Sequence, residues 1–350
     1  MKCYLLSLFL LCSITQKSIA QKNDPRHNLT VFCEILDKNY ASFREKNVDW
    51  QQQCKIYQSK VSATTPDSVL FQYMREMLTP LNDAHVSLKS KSLGKSFSAT
   101  RHSTSVEEFD AVPKKERKPL FKKMTATTLE ANGFDKLRHL GPAFRCETLF
   151  SYANNGKIGY LRFFRSFSHL YLMNGLFLNH QLNTIFKTFE GLESVIIDVR
   201  FNIGGDDGFS QKIISRFIEK ERVVYFKQTR KNGVFQTLKA ITVKPKRKQF
   251  FDGSLVLLTN DRTVSAADVL ALMAYSLPQA TIIGTPSNGS YSDLMSRRLP
   301  NGWKLTLSNQ RYLALDSTNF EGKGTPIDIK VGNKLKDIMA GHDAVLKAAM

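Results

Sequence analysis

The chain has 350 residues, room for one large domain or two moderate ones, and its 42% hydrophobic content supplies a sizeable core. Its 50 Lys and Arg against 31 Asp and Glu leave a formal charge of +19, which favours acidic partners. The basic residues are dispersed, and the local runs at 114–118 and 244–248 lack interleaved aromatics. A base-stacking nucleic-acid surface is therefore not expected, and these runs read as solvated faces.

Residues 1–20 have Lys2, an apolar run at 4–11 and the small residues Ser18 and Ala20 at their end. This is the pattern of a secretory signal peptide, too short to span a membrane. Bulky Leu10 and Leu11 before Cys12 argue against lipidation. The expectation is a mature chain from about Gln21 in a secreted or periplasmic compartment, with no transmembrane segment. Cys3 and Cys12 leave with the leader. Cys33, Cys54 and Cys146 are not a disulfide framework; a Cys33–Cys54 bridge between neighbouring helices and unpaired buried thiols are both consistent with the spacing. There is no Cys–His metal spacing, and neither metal nor cofactor is expected.

Residues 21–90 read as an N-terminal helical subdomain. Val31, Phe32, Ile35, Leu36 and Tyr40 form an apolar stripe, and 50–61 and 68–78 give two further helical segments. Pro66 marks a helix start and Pro80 a stop. The stretch LNDAHVSL, 81–88, turns at Asn82 and Asp83, then places His85, Ser87 and Lys89 in alternation with Val86 and Leu88, as on a half-buried strand. Alone, His85 reads as a hydrogen-bonded structural histidine. Residues 91–154, rich in Ser, Thr, Lys and Arg with weak helical periodicity around 120–140, read as a connecting region. Asn28 and Asn288 begin glycosylation sequons, which matter only in a host that glycosylates.

From 155 to 350 the pattern becomes α/β. Strands are predicted at 158–163, 194–200, 255–258 and 281–284, with helical spans at 170–189, 209–220 and after Ser265. A hairpin-like pair flanks 300–302, and strand 329–331 precedes a terminal helix. The loop 201–208, Phe-Asn-Ile-Gly-Gly-Asp-Asp-Gly, joins a strand to a helix. It lacks the P-loop lysine and the G-x-G-x-x-G pattern. Gly204 and Gly205 then serve either as a plain tight turn or as backbone donors approaching a reacting carbonyl.

The stretch 255–275, LVLLTNDRTVSAADVLALMAY, holds a buried strand, a polar turn and an apolar helix, with Ser265 at the turn. A serine there is exposed at the positive end of a helix, beside free amides that can bind an oxyanion. With Asp268 three residues on, it equally resembles a capping box.

In family order, LNDAHVSL, IGYLRFFRSF, VIIDVRFNIGG, LVLLTNDRTVSAADVLALMAYSLPQATIIGTPSNG, LPNGWKL and EGKGTPIDIKV make the chain resemble the tail-specific (C-terminal processing) serine peptidase family. That family includes the tricorn core and the interphotoreceptor retinoid-binding proteins. The resemblance implies a crotonase-like α/β core at 155–350 acting on a peptide or protein substrate. Ser265 would be the nucleophile, and the amides of Ala266 and of Gly204 or Gly205 the oxyanion hole. Ser290 stands where bacterial members have their lysine base, which excludes the simple Ser–Lys dyad. His85 and Glu321 match the histidine base and late glutamate of the tricorn-like branch. Ala84 stands where that branch can place the intermediary hydroxyl. Residues 90–155 lack the apolar carboxylate-binding loop of the family's PDZ insert. The competing expectation is a non-catalytic binding protein for an apolar ligand or peptide on the same fold.

Overall fold

A computed structural model describes residues 24–109, 111–144, 147–167, 175–246 and 249–350. The expected leader, Cys146 and the start of the helical span from 170 lie outside them. In chain order the elements are helices α1 (Pro25–Asn39), α2 (Trp50–Gln58) and α3 (Asp67–Leu78), strands β1 (Ser87–Ser90) and β2 (Lys95–Ser98), and helices α4 (Thr104–Glu107) and α5 (Lys114–Ala131). Strands β3 (Arg138–Phe144), β4 (Glu147–Asn154) and β5 (Ile158–Phe163) lead to α6 (Gly175–Lys187), β6 (Ser194–Asp198) and α7 (Asp207–Ile214). Next come β7 (Arg222–Lys231), β8 (Val234–Phe235), β9 (Lys239–Val243), β10 (Ser254–Thr259), α8 (Ala266–Tyr275) and β11 (Ala280–Gly284). The chain ends with β12 (Leu294–Arg298), β13 (Lys304–Ser308), β14 (Gln310–Leu313), β15 (Ile329–Lys330), α9 (Leu335–Met339) and α10 (Ala344–Lys347). No helix among the described residues is long and apolar enough to cross a membrane.

These elements form two compact units. One comprises the described residues up to Arg101 with Gln228–Thr237 and Ser292–Arg311; the other comprises His102–Lys227, Leu238–Tyr291 and Tyr312–Met350. The division is therefore discontinuous in sequence, unlike the consecutive segments expected from the sequence pattern.

The first unit packs α1, α2 and α3 with the antiparallel sheet β12-β13-β1-β2. Asp24 starts α1 by accepting from the Arg26 amide at 2.9 Å, with Pro25 in the first turn. The predicted stripe is buried at Phe32 and Leu36, and Phe32 and Phe43 lie against Trp50 at 5.7 and 5.3 Å between ring centroids. A disulfide joins Cys33 to Cys54, resolving the alternatives left open by the spacing.

The second unit is built on a seven-stranded sheet of order β15-β11-β10-β6-β5-β4-β3. The run from β15 to β5 is parallel, and β4 and β3 are added antiparallel. Val195, Ile196 and Ile197 of β6 are all buried, because helices cover both faces of this parallel core. Residues 91–154, expected as a connection, instead supply two strands of this sheet and α5. The helix buries Phe121, Met124, Thr125, Thr128 and Leu129, a helical stripe that its lysines and Pro119 hide in the sequence. Both sequon asparagines are buried with their side chains engaged: Asn28 Nδ2 donates to the Asp24 carbonyl and Asn288 Nδ2 to that of Asp261, each at 3.0 Å.

Under the sheet's carboxyl end, Arg200 is buried between two aspartates. Its Nε and Nη2 donate to Asp198 at 2.9 and 2.7 Å, and its Nη1 and Nη2 to Asp343 at 2.6 and 2.8 Å. Burial pushes the Asp343 carboxyl up, but Arg200 outweighs it and holds the group below its ordinary range. Tyr160 and Asn333 donate to the remaining lone pairs of the two carboxylates. Removing one partner of such a cluster strands a buried charge. Asp343→Ala is expected to lower the unfolding free energy by about 3–5 kcal/mol. Urea denaturation checks this; a loss below about 1 kcal/mol would mean that Asp198 alone satisfies Arg200.

Candidate active site

Strands β6 and β10 are parallel neighbours in register, with Asp198 opposite Leu258. Their following loops therefore leave the same carboxyl end of the sheet, where open α/β sheets place ligands. The loops are bound together closely. Thr263 Oγ1 donates to the Val199 carbonyl at 2.9 Å, the Val264 amide to that of Asn202 at 2.9 Å, and the Phe201 amide to Asn260 Oδ1 at 3.1 Å.

Asn202 fixes the glycine turn. Its Nδ2 donates to the Phe163 carbonyl and its Oδ1 accepts from the Gly204 amide, both at 2.9 Å. Gly204 has φ +80, and a Cβ there would lie 2.5 Å from the Val264 carbonyl oxygen and 2.6 Å from Ser265 Cβ. Only glycine permits that approach. Gly205 is bridged to Ser166: the Ser166 amide donates to the Gly204 carbonyl at 3.1 Å and the Asp206 amide to the Ser166 carbonyl at 2.7 Å. The Gly204 amide is thus committed to Asn202. The amides of Gly205 and Ala266 have no hydrogen bond to a described residue.

Ser265 stands at the head of α8 with φ +61 and ψ −126. A non-glycine residue in such a region stores on the order of 1–3 kcal/mol and persists only if its surroundings over-determine it. Here the Ser265 amide donates to Asp268 Oδ2 at 2.9 Å and to the Ser290 carbonyl at 3.1 Å. Asp268 is 0% exposed, and it also accepts from the amides of Gly289 at 2.9 Å and Ser290 at 3.1 Å. Burial pushes its carboxyl up to about 6, against the lowering effect of Ser287 and these amides. Of the helix cap expected from Ser265 and Asp268, the Asp268 half is the one that holds the strained serine: the Ser265 amide donates to its carboxylate, and the Ser265 hydroxyl makes no cap hydrogen bond.

Loop 284–291 is packed backbone to backbone against loop 320–326. The Gly322 amide donates to the Gly289 carbonyl at 2.7 Å, and a Cβ on Gly289 would lie 2.6 Å from the Gly324 nitrogen. Glu321, 2% exposed, accepts from the Tyr291 amide at 3.3 Å. Ser290 is buried with its hydroxyl donating to Asn288 Oδ1 at 2.7 Å. Lys323 is exposed.

His85 belongs to the first unit, at the turn before β1, and is 7% exposed. Its amide donates to Asp83 Oδ1 at 2.8 Å and its carbonyl accepts from Thr306 Oγ1 at 2.7 Å. Its Nδ1 lies 3.5 Å from the Ser308 hydroxyl. Burial lowers the imidazole pKa below 6.5, with Asp83 and Asp293 opposing. Sequence reasoning did not pick out Ser308, 223 residues away in the chain. Its signal was the alternation along β13, which puts Thr306 and Ser308 on one face. The second unit thus brings together Gly204, Gly205, Ser265 and Ala266, and joins Glu321 to the residue after Ser290.

The model of peptidase family S41 matches residues 157–331, and that of the tricorn protease C1 domain matches 21–79. A carboxy-terminal-processing protease of Bartonella bacilliformis is 26% identical over 155 residues, covering 44% of this chain and 35% of that protein. A "Probable CtpA-like serine protease" of Staphylococcus haemolyticus is 24% identical over 144 residues, covering 41% and 28%. The chain therefore spans about a third of the length of these relatives. A solved peptidase candidate of Parabacteroides merdae has a TM-score of 0.75 at 25% identity, covering 93% of this chain and 95% of that one. Mature CPAF, at 13% identity, shares the fold with a TM-score of 0.64 over 92% of this chain and 95% of its own. With the first of these models covering half of its length, the chain belongs to peptidase family S41.

Proposed function

We propose that the protein is an exported serine-type peptidase that hydrolyses peptide bonds through an acyl-enzyme on Ser265, with His85 as general base. The observation that carries this reading is the strained Ser265 with Gly204 packed on its Cβ and two uncommitted amides, Gly205 and Ala266, beside it. In the proposed cycle His85 takes the hydroxyl proton as Ser265 Oγ attacks the scissile carbonyl. The amides of Gly205 and Ala266 receive the developing oxyanion, the role a rigid backbone performs without reorganising. His85 then protonates the leaving amine, and water repeats the sequence to free the acid. Asp83 and Thr306 hold the backbone of His85, the Ser308 hydroxyl is placed to orient its Nδ1, and Glu321 is the acidic member of the set. Ser290 offers no amine, so a neighbouring lysine base is not part of the reading. The Cys33–Cys54 disulfide supports export, since such bonds persist in oxidising compartments.

Ser265→Ala is expected to lower peptide hydrolysis by about 10³-fold or more while the melting temperature stays near that of wild type. A fluorophosphonate probe should label wild type and not the variant; equal labelling removes Ser265 as nucleophile.

With the imidazole pKa depressed by burial, acylation by an activated ester should rise with pH through an apparent pKa below 6.5. His85→Ala should lose about as much rate as Ser265→Ala, because members of such a unit act together. Full activity in His85→Ala, or a rise centred near pH 9, would assign the base elsewhere.

For Asp268 the sign is that of a raised carboxyl. The folded state binds its proton up to about pH 6, the unfolded chain only to about 3.9. Its contribution to stability is therefore complete below the unfolded value and is lost as pH rises through about 6. The stability difference between wild type and Asp268→Ala should shrink between pH 4 and 6, read from melting temperatures; a difference that grows would show that Asp268 ionises more easily when folded.

A further inference from the structure

The second unit has a cavity at the amino end of its parallel strands, the end opposite Ser265. Gly191 stands three residues before β6 and Asp252 two residues before β10, and both line it. The Ser265 turn follows the other end of β10, so the length of that strand, about 20 Å, separates the two places. The cavity holds about 700 Å³, enough to enclose a small ligand.

Behind its wall stands a buried cation. Arg200 and Arg216 are the buried arginines of the described residues. Arg200 has Asp198 and Asp343, whereas Arg216, 0% exposed, has no carboxylate partner among the described residues. Its Nη1 donates to Asn183 Oδ1 at 2.8 Å and to Gln249 Oε1 at 3.2 Å, and its Nη2 to the Asn179 carbonyl at 3.5 Å. All three acceptors are neutral. Its Nε is buried with no acceptor among the described residues, and burial pushes the guanidinium down to about 10.

Asn183 and Gln249 both line the cavity. Each turns its carbonyl oxygen to Arg216, so its amide nitrogen is directed away from that charge. Neither nitrogen bonds a described residue. Two carboxamides with uncommitted N–H donors, polarised from behind by a buried positive charge, are complementary to one acid group. The remaining lining sets the rest of the ligand. Glu190 and Asp252 are exposed carboxylates, which repel a densely charged anion but accept hydrogen bonds from hydroxyl groups. Phe250 is 38% exposed and offers a flat apolar face to a ring.

We propose that this cavity is a binding site, separate from the Ser265 centre, for a uronic acid unit of an acidic polysaccharide. The sugar carboxylate meets the amides of Asn183 and Gln249, its hydroxyls donate to Glu190 and Asp252, and its ring lies on Phe250. The formal charge of +19 favours the approach of such a polymer.

Titration calorimetry on the full chain tests this with tetragalacturonate, a hyaluronan tetrasaccharide, the methyl ester of tetragalacturonate and inorganic sulfate. At least one of the two uronate oligomers should bind with a Kd below about 1 mM. The ester, which keeps the ring hydroxyls and loses the charge, should bind about tenfold or more weaker than tetragalacturonate. Asn183→Asp gives Arg216 a carboxylate and repels the ligand's own. It should weaken uronate binding about tenfold or more without lowering the melting temperature, and Gln249→Glu repeats the measurement should Asn183→Asp fail to fold. Phe250→Ala should weaken acid and ester alike. No binding of either uronate oligomer below about 10 mM overturns the proposal. So does equal binding of acid and ester, undiminished uronate binding in both carboxylate variants, or sulfate binding as tightly as the oligomers, which would make this a plain anion site. Each readout is a binding constant, so its outcome is independent of whether Ser265 hydrolyses peptides.

Discussion

One buried carboxylate holds the candidate site in its shape. Asp268 takes the amides of Ser265, Gly289 and Ser290, and so ties the first turn of α8 to the loop after β11. Gly289 in turn packs against the loop that carries Glu321. The backbone of Ser265 can stay at a positive φ because its amide is held by Asp268 and by the Ser290 carbonyl together. Burying an ion is unfavourable unless its lone pairs are filled, and here the amide donors fill them. The carboxyl of Asp268 is nonetheless raised, because burial outweighs these donors.

A second constraint is steric. The loops after β6 and β10 lie so close that Gly204 has no room for a Cβ, and Asn202 locks the turn by bonding both its own loop and the end of β5. That closeness follows from the parallel register of β5, β6 and β10, which ends three neighbouring strands at one level. Below it, the Asp198–Arg200–Asp343 cluster anchors the end of β6 to the C-terminal segment. Strained backbone above and a fully bonded ionic cluster below divide the labour between function and stability.

The strained backbone of Ser265, with Gly204 packed against its Cβ, is the geometric feature on which the peptidase proposal rests. The departures from the bacterial lysine pattern also have a physical content. Ser290 is a buried hydroxyl spent on Asn288, and its backbone carbonyl receives the Ser265 amide. Around His85, the hydroxyl near Nδ1 is that of Ser308, which a strand brings in from far along the chain.

The sequence by itself determined the elements whose side chains announce their burial. The continuous apolar strands β6 and β10, the stripe of α1 and the proline before α3 were legible because hydrophobic period and backbone restriction are local properties. So was the serine between strand and helix. Residues 91–154 were not, because α5 buries a narrow stripe under a coat of lysines, and β3 and β4 gain their meaning only from the strands beside them. Cys33 and Cys54 could have been bridged or free until two helices packed side by side. The choice between Gly204 and Gly205 as the available amide depended on where the Asn202 side chain turned. The φ of Ser265 likewise required Asp268 and loop 284–291 to meet it. Hydrogen bonds and steric exclusion between residues distant in the chain depend on tertiary packing, and no window of sequence contains both partners.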